Sequence, residues 1–131
     1  MRVLVVDDDK GIRETLGALL EEEGYDVSVA ADGEEGLRVM LATREPMVVL
    51  LDLLLPTLSG EDALAAALEY FEGVGRSPVS FIIITANPQS VTAHLRTLIQ
   101  RHHIPVEYKP FDTDHLLAEV ERASAGGLVA G

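Results

Sequence analysis

Three short runs in this chain are apolar at every position: Val3 to Val6, Met47 to Leu51 and Phe81 to Ile84. A strand with one wet face alternates apolar with polar residues. A run without alternation is buried on both faces, as in a parallel sheet covered by helices on either side. Two weaker strand patterns, at Val27 and Val29 and at Val106 and Tyr108, keep some alternation.

Helical stripes separate these runs. Ile12, Leu16, Leu19 and Leu20 share one face, as do Leu64, Ala67, Leu68 and Phe71. Val91, Leu95, Leu98, Ile99 and His102 make a third stripe, and Leu116, Leu117, Val120 and Ala123 a fourth. Another helix is introduced by Asp32-Gly-Glu-Glu35, where Asp32 caps and Glu35 reaches back. Ser59 is placed to cap the helix that follows it. Pro56, Gly60, Pro78, Pro88, Pro105 and Pro110 punctuate the connections, and Glu72 to Pro78 reads as a long loop.

The order is therefore β-α, five times. Strict alternation predicts an α/β fold: a flavodoxin-like (βα)5 three-layer sandwich with a parallel sheet in the order 2-1-3-4-5. Ligand sites in that topology lie beyond the C-terminal ends of the strands. One domain is expected over residues 1–124, with a frayed tail over residues 125–131 that is rich in Gly and Ala.

At 131 residues the chain is the size of one domain with one core. Its formal net charge of −12, with no basic cluster, disfavours direct binding to nucleic acid. No cysteine is present, which excludes disulfides, thiolate chemistry and Cys-based zinc sites. The run Val3 to Val6 stops at Asp7, too short for a signal-peptide core, and no run approaches a membrane span. A cytoplasmic protein without a membrane partner is expected.

The strand ends carry the chemistry. The first strand ends in Asp7-Asp8-Asp9, the third in Asp52, the fourth in Thr85-Ala86 and the fifth in Lys109-Pro110. Each piece has an ordinary reading: a solvated turn with a helix cap, a strand former, a surface lysine. Their convergence on one sheet edge is what points to a site. Crowded carboxylates repel, and a hard divalent cation relieves them; Mg2+ favours oxygen ligands and keeps several waters. Asp8 and Asp52 are candidate direct ligands, Asp7 a ligand through water, and the Leu54 backbone carbonyl a further one. Asp52 is then a candidate nucleophile toward phosphorus, with Lys109 and Thr85 holding the phosphoryl oxygens.

Together, Val3-Leu-Val-Val-Asp-Asp8, Leu51-Asp-Leu-Leu-Leu-Pro56 with Gly60, Ile84-Thr-Ala86 and Tyr108-Lys-Pro-Phe111 resemble the receiver domain of two-component response regulators over essentially the whole chain. The resemblance implies a signalling switch rather than a turnover enzyme on an external metabolite. It implies Mg2+-dependent transfer of a phosphoryl group to Asp52 from a sensor histidine kinase or a phosphotransfer protein, with Asp7 and Asp8 as metal-binding acids. Thr85 is implied to move toward the phosphoryl group and Lys109 to pair with it. The Lys109–Pro110 bond is expected to be cis, and the face of the fourth helix, fifth strand and fifth helix is the implied surface for a homodimer or a downstream partner.

Some positions depart from the family pattern. Val106 stands where the family usually has an aromatic switch residue, three before the lysine, and Tyr108 shares its face. The segment Arg101-His-His-Ile-Pro105 lacks the usual Gly-Ala pair. Leu54 and Asn87 occupy positions that shape access of water to the acyl phosphate in the family; apolar Leu54 cannot orient water, so slow autodephosphorylation is expected. The alternative reading is a phosphate-independent interaction module with a degenerate aromatic switch. An aspartyl phosphohydrolase needs a second acid two residues after the nucleophile, where Leu54 sits, and the acids disfavour flavin phosphate. His102 and His103 are adjacent and poor joint ligands, while His94 and His115 look isolated.

Overall fold

The three unalternating runs form the middle of a single sheet. The computed structural model describes residues 1–129. In chain order the elements are β1 (Arg2–Val6), α1 (Lys10–Glu22), β2 (Asp26–Ala30), α2 (Gly33–Ala42), β3 (Met47–Asp52), α3 (Gly60–Val74), β4 (Val79–Thr85), a 3-10 turn (Pro88–Ser90), α4 (Ala93–His102), β5 (Val106–Tyr108) and α5 (Thr113–Val129). All strand pairs are parallel, in the predicted order β2-β1-β3-β4-β5.

The period-two pleat splits each central run between two cores. Val3, Val5, Val48, Leu50, Ile82 and Ile84 face Leu16 and Leu20 of α1 and Leu116 and Val120 of α5. Leu4, Val6, Val49, Leu51 and Ile83 face Met40 of α2, Leu64 and Phe71 of α3 and Leu95 of α4. Burying one such aliphatic side chain stabilises the fold by about 1.5–3 kcal/mol. Every residue of β3 is buried, which drives its last residue, Asp52, into the edge of the core.

Side-chain caps fix where the helices begin. Asp9 accepts from the Ile12 N–H, Asp32 from Glu35, Ser59 from Asp62 and Thr92 from Leu95, at 3.2, 2.9, 3.1 and 3.0 Å. Each cap is worth about 1 kcal/mol. The Asp32 and Ser59 caps are those expected from the sequence.

Two expectations need correction. Val91 precedes α4 rather than belonging to it, because Thr92 caps the helix, and His102 is exposed. The expected loop from Glu72 is shorter: α3 continues to Val74 and stops at Gly75, whose φ of 80° is the left-handed conformation that ends a helix. α5 extends to Val129, into the segment from residue 125 for which fraying is expected, and residues 130–131 lie outside the described residues.

Candidate functional site

Asp7 follows β1 and Asp52 ends β3, so the pairing of these neighbours brings the two carboxylates together. Asp7 is fully buried and Asp52 nearly so, while Asp8 is exposed. Oxygens from Asp7, Asp8 and Asp52 all lie within 4.8 Å of one another. Lys109, one residue past β5, reaches across β4 to them. Its Nζ lies 2.7 Å from Asp7 Oδ2 and 3.2 Å from Asp52 Oδ2.

The cluster is held from several directions. Asp7 Oδ1 accepts from the Asp9 N–H at 2.9 Å, and the Asp7 carbonyl accepts from Arg13 at 2.9 Å. Asp52 Oδ1 accepts a long bond from the Leu54 N–H at 3.4 Å. The Lys109 N–H donates to the Thr85 carbonyl at 2.8 Å, and the Lys109–Pro110 bond is cis. Gly60 lets α3 approach the backbone of Asp52: a methyl there would lie 2.1 Å from the Asp52 carbonyl oxygen.

The electrostatics are those of an acid cluster short of positive charge. Burial raises the Asp52 pKa, the Asp7 charge raises it further, and Lys109 opposes both without cancelling them. Burial pulls Lys109 down, but contact with Asp7 and the charges of Asp52 and Asp7 outweigh it, so its pKa is raised. The ammonium therefore stays charged at neutral pH. Asp7 Oδ2 is buried, and its one close partner is the Lys109 ammonium at 2.7 Å, a charge-assisted contact. Three carboxylates with oxygens within 4.8 Å of one another, faced by a single ammonium, fit a hard divalent ion with oxygen ligands.

Thr85 and the residues around β5 stand apart from this cluster. The buried Thr85 hydroxyl donates to the Asn87 carbonyl at 3.4 Å and accepts from the Asn87 N–H at 3.3 Å. Val106 is half-buried against the α4 side, and Tyr108, on the same face of β5, is 46% exposed. The Leu54 side chain, 61% exposed, forms an apolar rim beside Asp52.

Two histidines that look isolated in the sequence have partners. His94 Nδ1 lies 3.1 Å from Glu61 Oε2, and Thr92 donates to Glu61 Oε1 at 2.6 Å, tying the starts of α3 and α4 together. His115 Nδ1 lies 2.9 Å from Oε1 of Glu107, which is buried on the α5 side of β5. Thr92 was legible as a helix cap from its residue type; neither glutamate carried a signal in the local pattern.

A parallel three-layer α/β domain whose β1, β3 and β5 strand ends gather three aspartates and one lysine defines the class: an acid-edge domain suited to phosphoryl chemistry. Residues 3–121 match the response regulator receiver domain family, and the chain belongs to it. It is 36% identical over 125 residues to the transcriptional regulatory protein DltR of Streptococcus agalactiae, covering 92% of this chain and 50% of that one. It is 34% identical to the DNA-binding response regulator MtrA of Mycolicibacterium smegmatis, covering 91% and 48%. The chain thus spans about half the length of these curated relatives. Among solved structures, the Thermotoga maritima response regulator TrrA in complex with Mg2+ and BeF is 28% identical, with a TM-score of 0.71 over 93% of this chain and 97% of that one. Among the described residues, no helix is long and apolar enough to cross a membrane.

Proposed function

We propose that the receiver unit, residues 1–124, is a cytoplasmic switch phosphorylated on Asp52 by a sensor histidine kinase or a histidine phosphotransfer protein. One observation carries the proposal: the nearly buried Asp52 carboxylate sits within 4.8 Å of Asp7 and Asp8 and 3.2 Å from the Lys109 ammonium. Asp8, Asp52 and the Leu54 carbonyl would hold Mg2+ directly and Asp7 through water; the complex of the Thermotoga relative with Mg2+ and BeF supports this reading. When bound, the ion neutralises the acids and the incoming phosphoryl oxygens.

A carboxylate oxygen of Asp52 attacks phosphorus. The P–N bond of the donor phosphohistidine breaks, imidazole leaves with its electron pair, and an acyl phosphate remains on Asp52. The Lys109 ammonium pairs with one phosphoryl oxygen. The Thr85 hydroxyl leaves the long bond to Asn87 and donates to another, drawing the segment after β4 inward. Val106 and Tyr108, on the α4 side of β5, carry that movement to a partner or a second copy bound at the α4–β5–α5 face. Direct contact with nucleic acid is not a role of this unit, given its charge of −12.

Intact mass after incubation with acetyl phosphate and Mg2+ tests the reading. A metal-dependent phosphoryl adduct is expected in the wild type and absent in Asp52→Ala. No adduct under rapid quench would leave the phosphate-independent interaction module in its place. Leu54→Asn is expected to shorten the lifetime of the adduct, because an amide there orients the attacking water; an unchanged decay rate sinks that part.

A further inference from the structure

The loop that carries Leu54 is braced from outside the acid cluster. Just before Leu54, the Leu53 carbonyl accepts from the Gly60 N–H at 2.9 Å. Just after it, the Pro56 carbonyl accepts from the N–H groups of Gly33 and Leu58, at 3.1 and 2.8 Å. Gly33 opens α2 and is pressed against this turn; a methyl there would lie 1.7 Å from the Leu58 carbonyl oxygen.

Thr57 is the strained member of the turn. Its φ of 66° lies in the left-handed region, which a β-branched residue avoids at a cost of about 1–2 kcal/mol. Its hydroxyl offsets that cost: Oγ1 donates to Asp32 Oδ1 at 3.1 Å and accepts from the Glu34 N–H at 3.2 Å. The same Asp32 oxygen caps α2 through the Glu35 N–H at 2.9 Å. Strain of this kind persists only where the surroundings over-determine it, and it collects at functional sites.

We infer that Asp32 and Thr57 are positioning residues for the cation: they lock α2 to the Pro56–Leu58 turn and so fix the aim of the Leu54 carbonyl. This rests on the reading of Asp7, Asp8, Asp52 and Leu54 as a Mg2+ site. Mg2+ tolerates little deviation from octahedral geometry, and a neutral carbonyl contributes only if it is already in place. Asp32 and Thr57 touch neither phosphate nor metal; they act through the backbone between them and Leu54.

The test is Mg2+ titration of the unphosphorylated full chain by calorimetry, with a thermal melt of each variant in EDTA. Thr57→Gly removes the hydroxyl and the strain together, so it folds. It is expected to bind Mg2+ about tenfold more weakly, whereas Thr57→Ser, which keeps the hydroxyl, stays within about twofold of wild type. Asp32→Asn, which keeps the cap but weakens the acceptor, falls between them. Wild-type affinity in Thr57→Gly overturns the inference and leaves Thr57 as a brace for α2 alone. No Mg2+ uptake by the wild type overturns the metal-site reading, and this inference with it.

Discussion

At the ends of β1 and β3 the backbone is held at van der Waals contact, whereas past β4 the Thr85 hydroxyl hangs on two long bonds. Gly60 lies against the Asp52 carbonyl and Gly33 against that of Leu58, with no room for a methyl at either. Across the sheet edge, the Thr85 hydroxyl makes only contacts of 3.3 and 3.4 Å, β5 has three residues, and α4 buries only Leu95 completely. The difference fits the roles proposed for the two sides. Arranging metal ligands and a nucleophile needs a frame that does not yield. Reporting the chemistry needs a segment that rearranges at low free energy, and few buried contacts supply that.

The largest expected effect tests the rigid side. Gly60→Ala places a methyl 2.1 Å from the Asp52 carbonyl oxygen and 2.7 Å from the Leu53 Cα. Both are backbone atoms and cannot step aside. Urea unfolding should show a loss of about 3 kcal/mol or more. Gly17→Ala in α1 is the matched control: nothing lies within 4 Å of the added methyl, and a gain of about 0.5–1 kcal/mol is expected. Similar small changes in both would break the contrast.

Next in size is Asp52→Asn, which asks whether the rigid frame holds its acids under repulsion. Asp52 has a raised pKa, from burial first and Asp7 second, so the folded chain holds this proton more tightly than the unfolded one. That contribution to stability is present below the ordinary value of 3.8 and is lost as pH rises through the raised folded value. At pH 7 without divalent ions, Asp52→Asn should therefore melt above the wild type, the gap closing at about pH 4 and on adding Mg2+. A variant that melts at or below the wild type at pH 7 would mean the cluster is already balanced.

The strand ends are the legible part of the site. Unalternating runs at β1, β3 and β4 give the parallel sheet, and the parallel sheet alone puts Asp7, Asp52 and Lys109 on one edge. Nothing beyond strand order is needed to bring them together, because a strand end is fixed by its pairing. What stays hidden depends on pairings the chain pattern does not encode. Glu107 reads as a solvated residue, yet it turns inward to His115 eight positions on. Glu61 meets Thr92 and His94 only because two helix starts adjoin. The left-handed Thr57 contradicts its own residue type. Val91 fits the helical period and still lies outside α4, since period reports a face and a cap reports a boundary.

On the soft side, Glu61 joins α4 to the frame through Thr92 and His94. Thr92→Val removes the cap on Leu95 and the bond to Glu61 together, while keeping the branched shape. A loss of about 1 kcal/mol confined to α4 is expected. Amide exchange sharpens the point: protection should fall over residues 93–102 and hold at Leu50 and Leu51. A uniform fall would make α4 part of the same cooperative unit as β3, and the proposed softness would go.

The smallest effect concerns whether the two sides also differ in pH response. His115 gains a hydrogen bond and a charge partner in Glu107, and both raise its pKa above 6.5. A raised histidine contributes stability that is complete below the unfolded value of 6.5 and fades as pH rises through the folded value. The melting temperature of the wild type should thus drop by a small step beginning near pH 6.5, well away from the acidic window set by Asp52. His115→Gln should flatten that step and leave the acidic one in place. Glu107→Gln should do the same, since it removes the partner rather than the titrating ring. A step that survives in His115→Gln belongs to another group, and the β5–α5 contact then carries no pH response of its own.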